Sequence, residues 1–312
     1  MRQVTYRRIV DLAGIVVDLA AETPEQATCL EWHFGRLPGG NDHTDLRIDL
    51  RRAPCPHPES PPSLLDGPIT RWHGPSSLHL WHELGMGGVL TGSTLVVGGE
   101  PPPDGQWRAA RQLLFSALSV FLDQRDLLVL HGAMIGRDGD AALVLGGSGC
   151  GKSTVAMAGL RSGWELLSDD LVVVRADPAG PTAFGIPKRV SIAPELAGQT
   201  EAPLQPLPGD DRGRVMLPAS ALTVGWRRIR ALIRTDHHDG DGALQPMSHD
   251  DALASVVGAF LEAPRTESLR RHLGRLAALA ARPAFVLAHT ADADRRLDRA
   301  TDLLHKAWHS ST

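Results

Sequence analysis

The sequence predicts an α/β protein with a P-loop domain at residues 105–312 and a small β-rich α/β domain at residues 1–100. Three observations predict it. The first is the stretch Gly146-Gly147-Ser148-Gly149-Cys150-Gly151-Lys152-Ser153-Thr154, between an apolar run at 141–145 and a helix-like run at 155–161. That is the strand, G-x-x-x-x-G-K-[ST], helix order of a phosphate-binding loop. The second is the alternation of short apolar runs with helically spaced leucines over the remaining chain. The third is Gly98-Gly99-Glu100-Pro101-Pro102-Pro103, the best domain boundary in the sequence.

In chain order, residues 14–19 read as a buried strand. Thr23-Pro24-Glu25-Gln26 supplies an N-cap, a Pro at the first helical position and a capping-box partner for a helix reaching about Phe34. Residues 46–51 alternate as a half-exposed strand should. The Pro-rich segment 53–62 has little capacity for regular structure. Short strands follow at 78–81, 88–90 and 94–97, punctuated by glycines.

The second domain opens with a helix over 106–122, with Leu114, Ala117, Leu118, Phe121 and Leu122 on one face. A strand at 127–130 leads into His131-Gly132, and Asp138-Gly139-Asp140 turns the chain into the P-loop strand. The P-loop helix stops at Ser162-Gly163. In the loop, the backbone N–H groups of Gly147, Ser148, Gly149, Cys150, Gly151 and Lys152 through Thr154 can turn inward around a phosphate at a helix N-terminus. Lys152 is placed to reach the β- and γ-phosphates of ATP, and Ser153 to ligate Mg2+. Lysine occurs only at Lys152, Lys188 and Lys306, so a chain that otherwise uses Arg has kept a compact point charge at the phosphate.

A parallel crossover returns the chain through a strand at 164–167. Its carboxyl end, with Asp169-Asp170, should lie beside that of the P-loop strand, where such sheets bind ligands. One carboxylate can ligate the metal and the other can accept the proton of an attacking hydroxyl. A strand, 171–174, follows, so the pair is poorly placed to cap a helix. His131 ends a neighbouring strand; a lone His there is structural more often than catalytic. The other histidines read as loop residues. Lys188 and Arg189 can approach the phosphates or the acceptor, or remain solvated charges. The Pro-, Gly- and Asp-dense segment 201–214 suggests an acceptor-binding loop or lid carrying Arg212 and Arg214. Beyond it come a strand at 229–233, a helix capped by Ser248, a helix with Leu269, Leu273, Leu276 and Leu279 in the core, a strand at 284–288 and a closing helix at 294–308.

Composition excludes several classes. With 42% hydrophobic residues the chain can bury a full core, and a net charge of −4 leaves no electrostatic footprint for nucleic acid. No basic block or apolar run of spanning length marks a membrane. Cys29, Cys55 and Cys150 make no disulfide or metal spacing, which fits a reducing cytoplasm.

Leu130-His131-Gly132, the P-loop and Gly163-Trp164-Glu165-Leu166-Leu167-Ser168-Asp169-Asp170 stand in the order found in the HPr kinase/phosphorylase family, which the chain resembles over roughly residues 125–195. It is similar still more to the HPr-kinase-like tailoring kinases of ribosomally made peptides, such as lasso-peptide precursor kinases. The resemblance implies an HPr-kinase-like catalytic domain and phosphorylation of a Ser or Thr hydroxyl from ATP and Mg2+. One of Asp169 and Asp170 would be the base, positioned by His131. It also implies a tendency to assemble as a homo-oligomer. The chain lacks the Glu-x-Arg-Gly-x-Gly segment of HPr kinases, and its first hundred residues differ from theirs.

The leading functional expectation is therefore a cytoplasmic Ser/Thr kinase acting on a peptide or small protein, with a lasso-type precursor as the acceptor implied by the resemblance. A kinase for a small molecule such as free serine is the second. A nucleotide-dependent switch or ATPase is the third, although the chain has neither Asn-Lys-x-Asp nor Leu-Ser-Gly-Gly-Gln.

Overall fold

The first eight strands build one sheet. Its strands are β1 (Tyr6–Leu12), β2 (Ile15–Ala21), β3 (Leu46–Arg51), β4 (Leu64–Asp66), β5 (Ile69–His73), β6 (Ser77–His82), β7 (Gly87–Thr91) and β8 (Thr94–Gly98). They stand in the order β1-β2-β3-β8-β7-β6-β5-β4. These coordinates come from a computed structural model that describes residues 4–99, 106–188, 190–198, 204–206, 214–240, 242–261, 266–290 and 295–311. Helix α1 (Pro24–Phe34) connects β2 to the parallel β3. It starts where the sequence predicts: Thr23 accepts from the Gln26 N–H, and the Gln26 side chain accepts from the Thr23 N–H. Strand β3 departs from the half-exposed expectation. It is parallel to both β2 and β8, so Leu46, Ile48 and Leu50 are buried and even Asp49 is covered, paired at 2.6 Å with Arg51.

Helix α2 (Gln106–Asp123) was expected to open the second domain. Instead its Phe115 ring meets His33 edge-on at 5.1 Å, and Gln112 Oε1 lies 2.7 Å from His82 Nε2. The compact units accordingly divide later than the Pro-rich boundary, as Met1–Phe121 and Leu122–Thr312.

The second unit contains β9 (Leu128–His131), β10 (Ala133–Arg137), β11 (Asp140–Leu145), helix α3 (Lys152–Arg161), β12 (Glu165–Ser168), β13 (Leu171–Arg175) and β14 (Thr182–Gly185). A small three-stranded sheet follows from β15 (Ser191–Ile192), β16 (Gln205–Pro206) and β17 (Val215–Met216), with the short α4 (Pro194–Ala197) between the first two. Then come β18 (Trp226–Gly240), β19 (Ala243–Pro246), α5 (His249–Ala259), α6 (Thr266–Ala280), β20 (Ala284–Thr290) and α7 (Arg296–Ser310). The main sheet runs β12-β10-β11-β18-β14-β13-β9, with β20 on β18 and β19 on β20. The protein is thus α/β, as the sequence predicts.

Strand β11 explains its own apolar run. Ala142 and Val144 pack with α3 and α7 on one face, while Leu143 and Leu145 pack with the α5 and α6 side on the other. A strand buried on both faces has no polar alternation. On α6, Leu276 and Leu279 are buried but Leu273 is 55% exposed, so the predicted leucine stripe is narrower than its spacing implies. Several histidines expected in loops are core residues of regular elements: His33 on α1, His82 on β6, His272 on α6 and His289 on β20. No described helix is long and apolar enough to cross a membrane.

Candidate active site

The acid pair sits at a bend in a two-stranded ribbon. Strand β9 pairs antiparallel with β13, and β10 pairs antiparallel with β12. Only Gly132 separates β9 from β10, and only Asp169-Asp170 separates β12 from β13. The Gly132 N–H donates to the Asp170 carbonyl at 2.9 Å, so the ribbon is continuous through the bend. On one side of the bend it joins the sheet through β13 and β14; on the other it joins through β10 and β11. The ribbon changes neighbours at the acids. A register shift opposite Met134 and Ile135 leaves Leu167 as the extra residue just before the acids. Bulges of this kind re-aim the side chains beside them.

The crossover expectation holds in direction but not in adjacency. Strand β12 is parallel to β11, because both are antiparallel to the intervening β10. The two carboxyl ends therefore share one edge of the sheet without the strands touching. The P-loop begins where β11 ends, and α3 begins at Lys152. Gly151, which precedes it, has φ +93°, and a Cβ there would lie 2.1 Å from His289 Nε2. Only glycine fits both the left-handed backbone and the close approach of the imidazole. Within the loop the Cys150 N–H lies 3.4 Å from the Gly147 carbonyl, and the Lys152 ammonium donates to the Gly146 and Gly147 carbonyls at 2.9 Å each. Thr154 is buried in the first turn of α3.

Five predicted side chains converge with Lys152 on this edge. The Ser153 hydroxyl donates to Asp169 Oδ2 at 3.0 Å. Asp169 Oδ1 is out of solvent and has no hydrogen-bond partner among the described residues. Burial raises the Asp169 carboxyl to about 6, against the opposing pull of Lys188 and Ser153. Asp170 goes the other way. Burial alone would raise it, but Lys188 and His131 outweigh that and hold it well below the usual carboxylate range. His131 Nδ1 lies 3.0 Å from Asp170 Oδ1 and so carries its proton on that nitrogen. The Lys188 ammonium forms an ion pair with Asp170 Oδ2. Burial lowers the Lys152 ammonium, partly offset by Asp169 and Asp170.

Of the remaining predicted contacts, Arg214 immediately precedes β17 and is half-buried. Arg189 and Arg212, with most of the expected lid at 201–214, lie outside the described residues. Three residues were missed by sequence reading. Thr235 on β18 donates to the Leu145 carbonyl at 3.1 Å, His289 on β20 packs on Gly151, and Ser168 is buried directly before the acids. His289 ends an apolar strand run with a polar residue, the signal already visible at His131, whereas Thr235 lies mid-strand behind Arg234 and gives no such signal.

The residues present fit a magnesium–nucleotide. Mg2+ keeps most of its waters and takes few protein oxygens. Ser153 and Asp169 offer a hydroxyl and a buried, partnerless carboxylate oxygen beside the phosphate loop. Among the described residues no set of three His, Cys, Asp or Glu side chains forms an all-protein metal cage.

No protein-family model matches the chain, and no curated protein matches it. Among solved structures it is similar to the Hpr(Ser) kinase/phosphatase from Coxiella burnetii, at 10% identity and a TM-score of 0.30, over 58% of this chain and 98% of that one.

Proposed function

We propose that this chain is an ATP-dependent phosphotransferase of the HPr-kinase-like type, acting on a Ser or Thr hydroxyl of a peptide or small protein. One observation carries the reading. Of two adjacent carboxylates, Asp169 accepts from the P-loop serine and has a buried oxygen with no partner among the described residues, and Asp170 is held ionised by two basic side chains.

The two acids divide the work by environment. Asp169, beside Ser153, takes the metal side. Asp170 faces His131 and takes the acceptor hydroxyl, since its interactions with Lys188 and His131 keep it ionised and able to accept a hydrogen bond. His131 fixes the Asp170 carboxylate through Nδ1–H. Lys152 and the N–H groups of the P-loop hold the phosphates, for which Lys152 must leave the Gly146 and Gly147 carbonyls it now contacts. Mg2+ with ATP supplies charge neutralisation on the transferred group, and positioning accounts for most of the remaining catalysis.

The test is phosphate transfer from γ-labelled ATP to candidate acceptors: lasso-type precursor peptides first, then unrelated Ser/Thr peptides, then free serine. Phosphoester formed on a peptide hydroxyl supports the reading. Transfer to free serine alone would replace it with a small-molecule kinase, and hydrolysis without any acceptor would replace it with an ATPase.

A further inference from the structure

Lysine is scarce in this chain, which has Lys152, Lys188 and Lys306 only. Two of the three converge on one pair of carboxylates. Lys152 and Lys188 both act electrostatically on Asp169, and Lys188 is ion-paired to Asp170. Lys188 is not a solvated loop charge, for its side chain is only 12% exposed. An ammonium covered to that extent needs a charged partner.

The backbone is built to hold it there. The Lys188 N–H donates to the Ile186 carbonyl at 2.9 Å, a tight turn about Pro187, and the Ile186 N–H donates to the Leu171 carbonyl at 3.0 Å. Buried Ser168 joins the lysine loop to the acid turn. Its hydroxyl oxygen lies 2.8 Å from the Leu171 carbonyl and 3.2 Å from the Ile186 carbonyl, and it accepts from the N–H groups of Asp170 and Leu171 at 3.3 Å each. Gly185 permits the contact, since a Cβ there would lie 2.5 Å from the Leu167 carbonyl oxygen.

This arrangement poses a problem for transfer. Both oxygens of Asp170 are engaged, Oδ1 by His131 and Oδ2 by Lys188. An acceptor hydroxyl needs one of them. The imidazole is a short, rigid partner, whereas the ammonium rides on a flexible four-carbon stem. We propose that Lys188 is a second phosphoryl-binding lysine, which turns from Asp170 Oδ2 to the transferred phosphoryl group as the acceptor hydroxyl takes its place. The proposal rests on the phosphotransferase reading above. In the step, the acceptor oxygen–phosphorus bond forms as the bond from phosphorus to the bridging oxygen of ADP breaks. The hydroxyl proton passes to Asp170, ADP leaves with the electron pair of the broken bond, and Lys188 keeps its proton throughout. A lysine at the equatorial oxygens stabilises charge where the transition state spreads it.

The experiment measures binding of Mg·ADP to the full chain with and without aluminium fluoride, a planar mimic of the transferred phosphoryl. It needs no acceptor. Wild type is expected to bind ADP more tightly with fluoroaluminate, by about a hundredfold or more. Lys188→Met is expected to lose at least about tenfold of that tightening while binding Mg·ADP alone within about threefold of wild type. Lys188→Arg is expected to restore part of it, and Lys188→Gln serves if the Met variant does not fold. Full tightening in Lys188→Met or Lys188→Gln overturns the proposal, as does an equal loss for ADP alone, which marks a structural role. Wild type that binds Mg·ADP without any tightening removes the phosphotransferase reading itself.

Discussion

Ser153 donates its hydroxyl to Asp169 Oδ2 at 3.0 Å and thereby ties the first turn of α3 to the acid turn at the end of β12. If these two groups hold the metal together, Ser153→Ala and Asp169→Asn should each weaken Mg2+-dependent nucleotide binding by about tenfold or more. Their effects should be less than additive, with a coupling of about 1 kcal/mol in a double-mutant cycle. Binding titrations with Mg2+ and with EDTA check this. An equal loss under both conditions would place the pair outside the metal's coordination.

The raised Asp169 carboxyl makes a stability prediction with a defined sign. Its folded value of about 6 lies above the ordinary 3.8, so the folded state holds the proton more tightly than the unfolded state does. The resulting stabilisation is full below about pH 4 and is lost as pH rises through about 6. Without Mg2+, the stability of wild type relative to Asp169→Asn should therefore fall by about 1–3 kcal/mol between pH 4 and pH 7. Denaturant unfolding in EDTA measures it, and a difference that rises with pH would contradict the assignment.

Gly151→Ala tests the construction of the loop. The substitution adds left-handed strain of about 1–2 kcal/mol at φ +93° and a contact 2.1 Å from His289 Nε2. Thermal unfolding should show a loss of about 2 kcal/mol or more, with nucleotide binding abolished. Adding His289→Ala should recover the steric part and leave the backbone part. No recovery would mean that the imidazole does not set the loop.

A fourth expectation lies away from the reacting groups. Asp123 is buried and accepts from Ser268 Oγ at 2.7 Å, from Arg271 Nη1 at 2.9 Å and from His272 Nε2 at 2.9 Å. His272 Nδ1 in turn lies 2.9 Å from Arg275 Nη1. Asp123→Ala strands three buried or half-buried donors and should cost about 3–5 kcal/mol in denaturant unfolding. Nucleotide affinity of the folded variant should stay near wild type.

What the sequence discloses follows physical range. The P-loop and the Thr23 cap are local, because each is a spacing of a few residues whose backbone geometry admits few alternatives. Asp169, Asp170 and His131 are legible for a similar reason: polar residues ending apolar strands face the carboxyl edge of a sheet. Strands β10 and β14 escape notice because they are short and each has one neighbour from farther along the chain, β12 for β10 and β18 for β14. The burial of Asp49 in β3 depends on having parallel neighbours on both sides, which one-strand periodicity cannot report. Helix α2 was attributed to the second domain because its apolar face names no partner; Phe115 on His33 decides that. Lys188 had two equal readings until a turn about Pro187 and the clamp at Ser168 brought it to Asp170.

In the proposed reaction Asp170 receives the acceptor's proton while Asp169 serves the metal. Single-turnover transfer from γ-labelled Mg·ATP, with Asp170→Asn and the Asp169→Asn, Asp170→Asn double variant beside wild type, tests it most directly. Asp170→Asn should slow transfer by about 10²–10⁴-fold with nucleotide affinity nearly intact, and the double variant should be slower still. A double variant that transfers phosphate at the wild-type rate would contradict it.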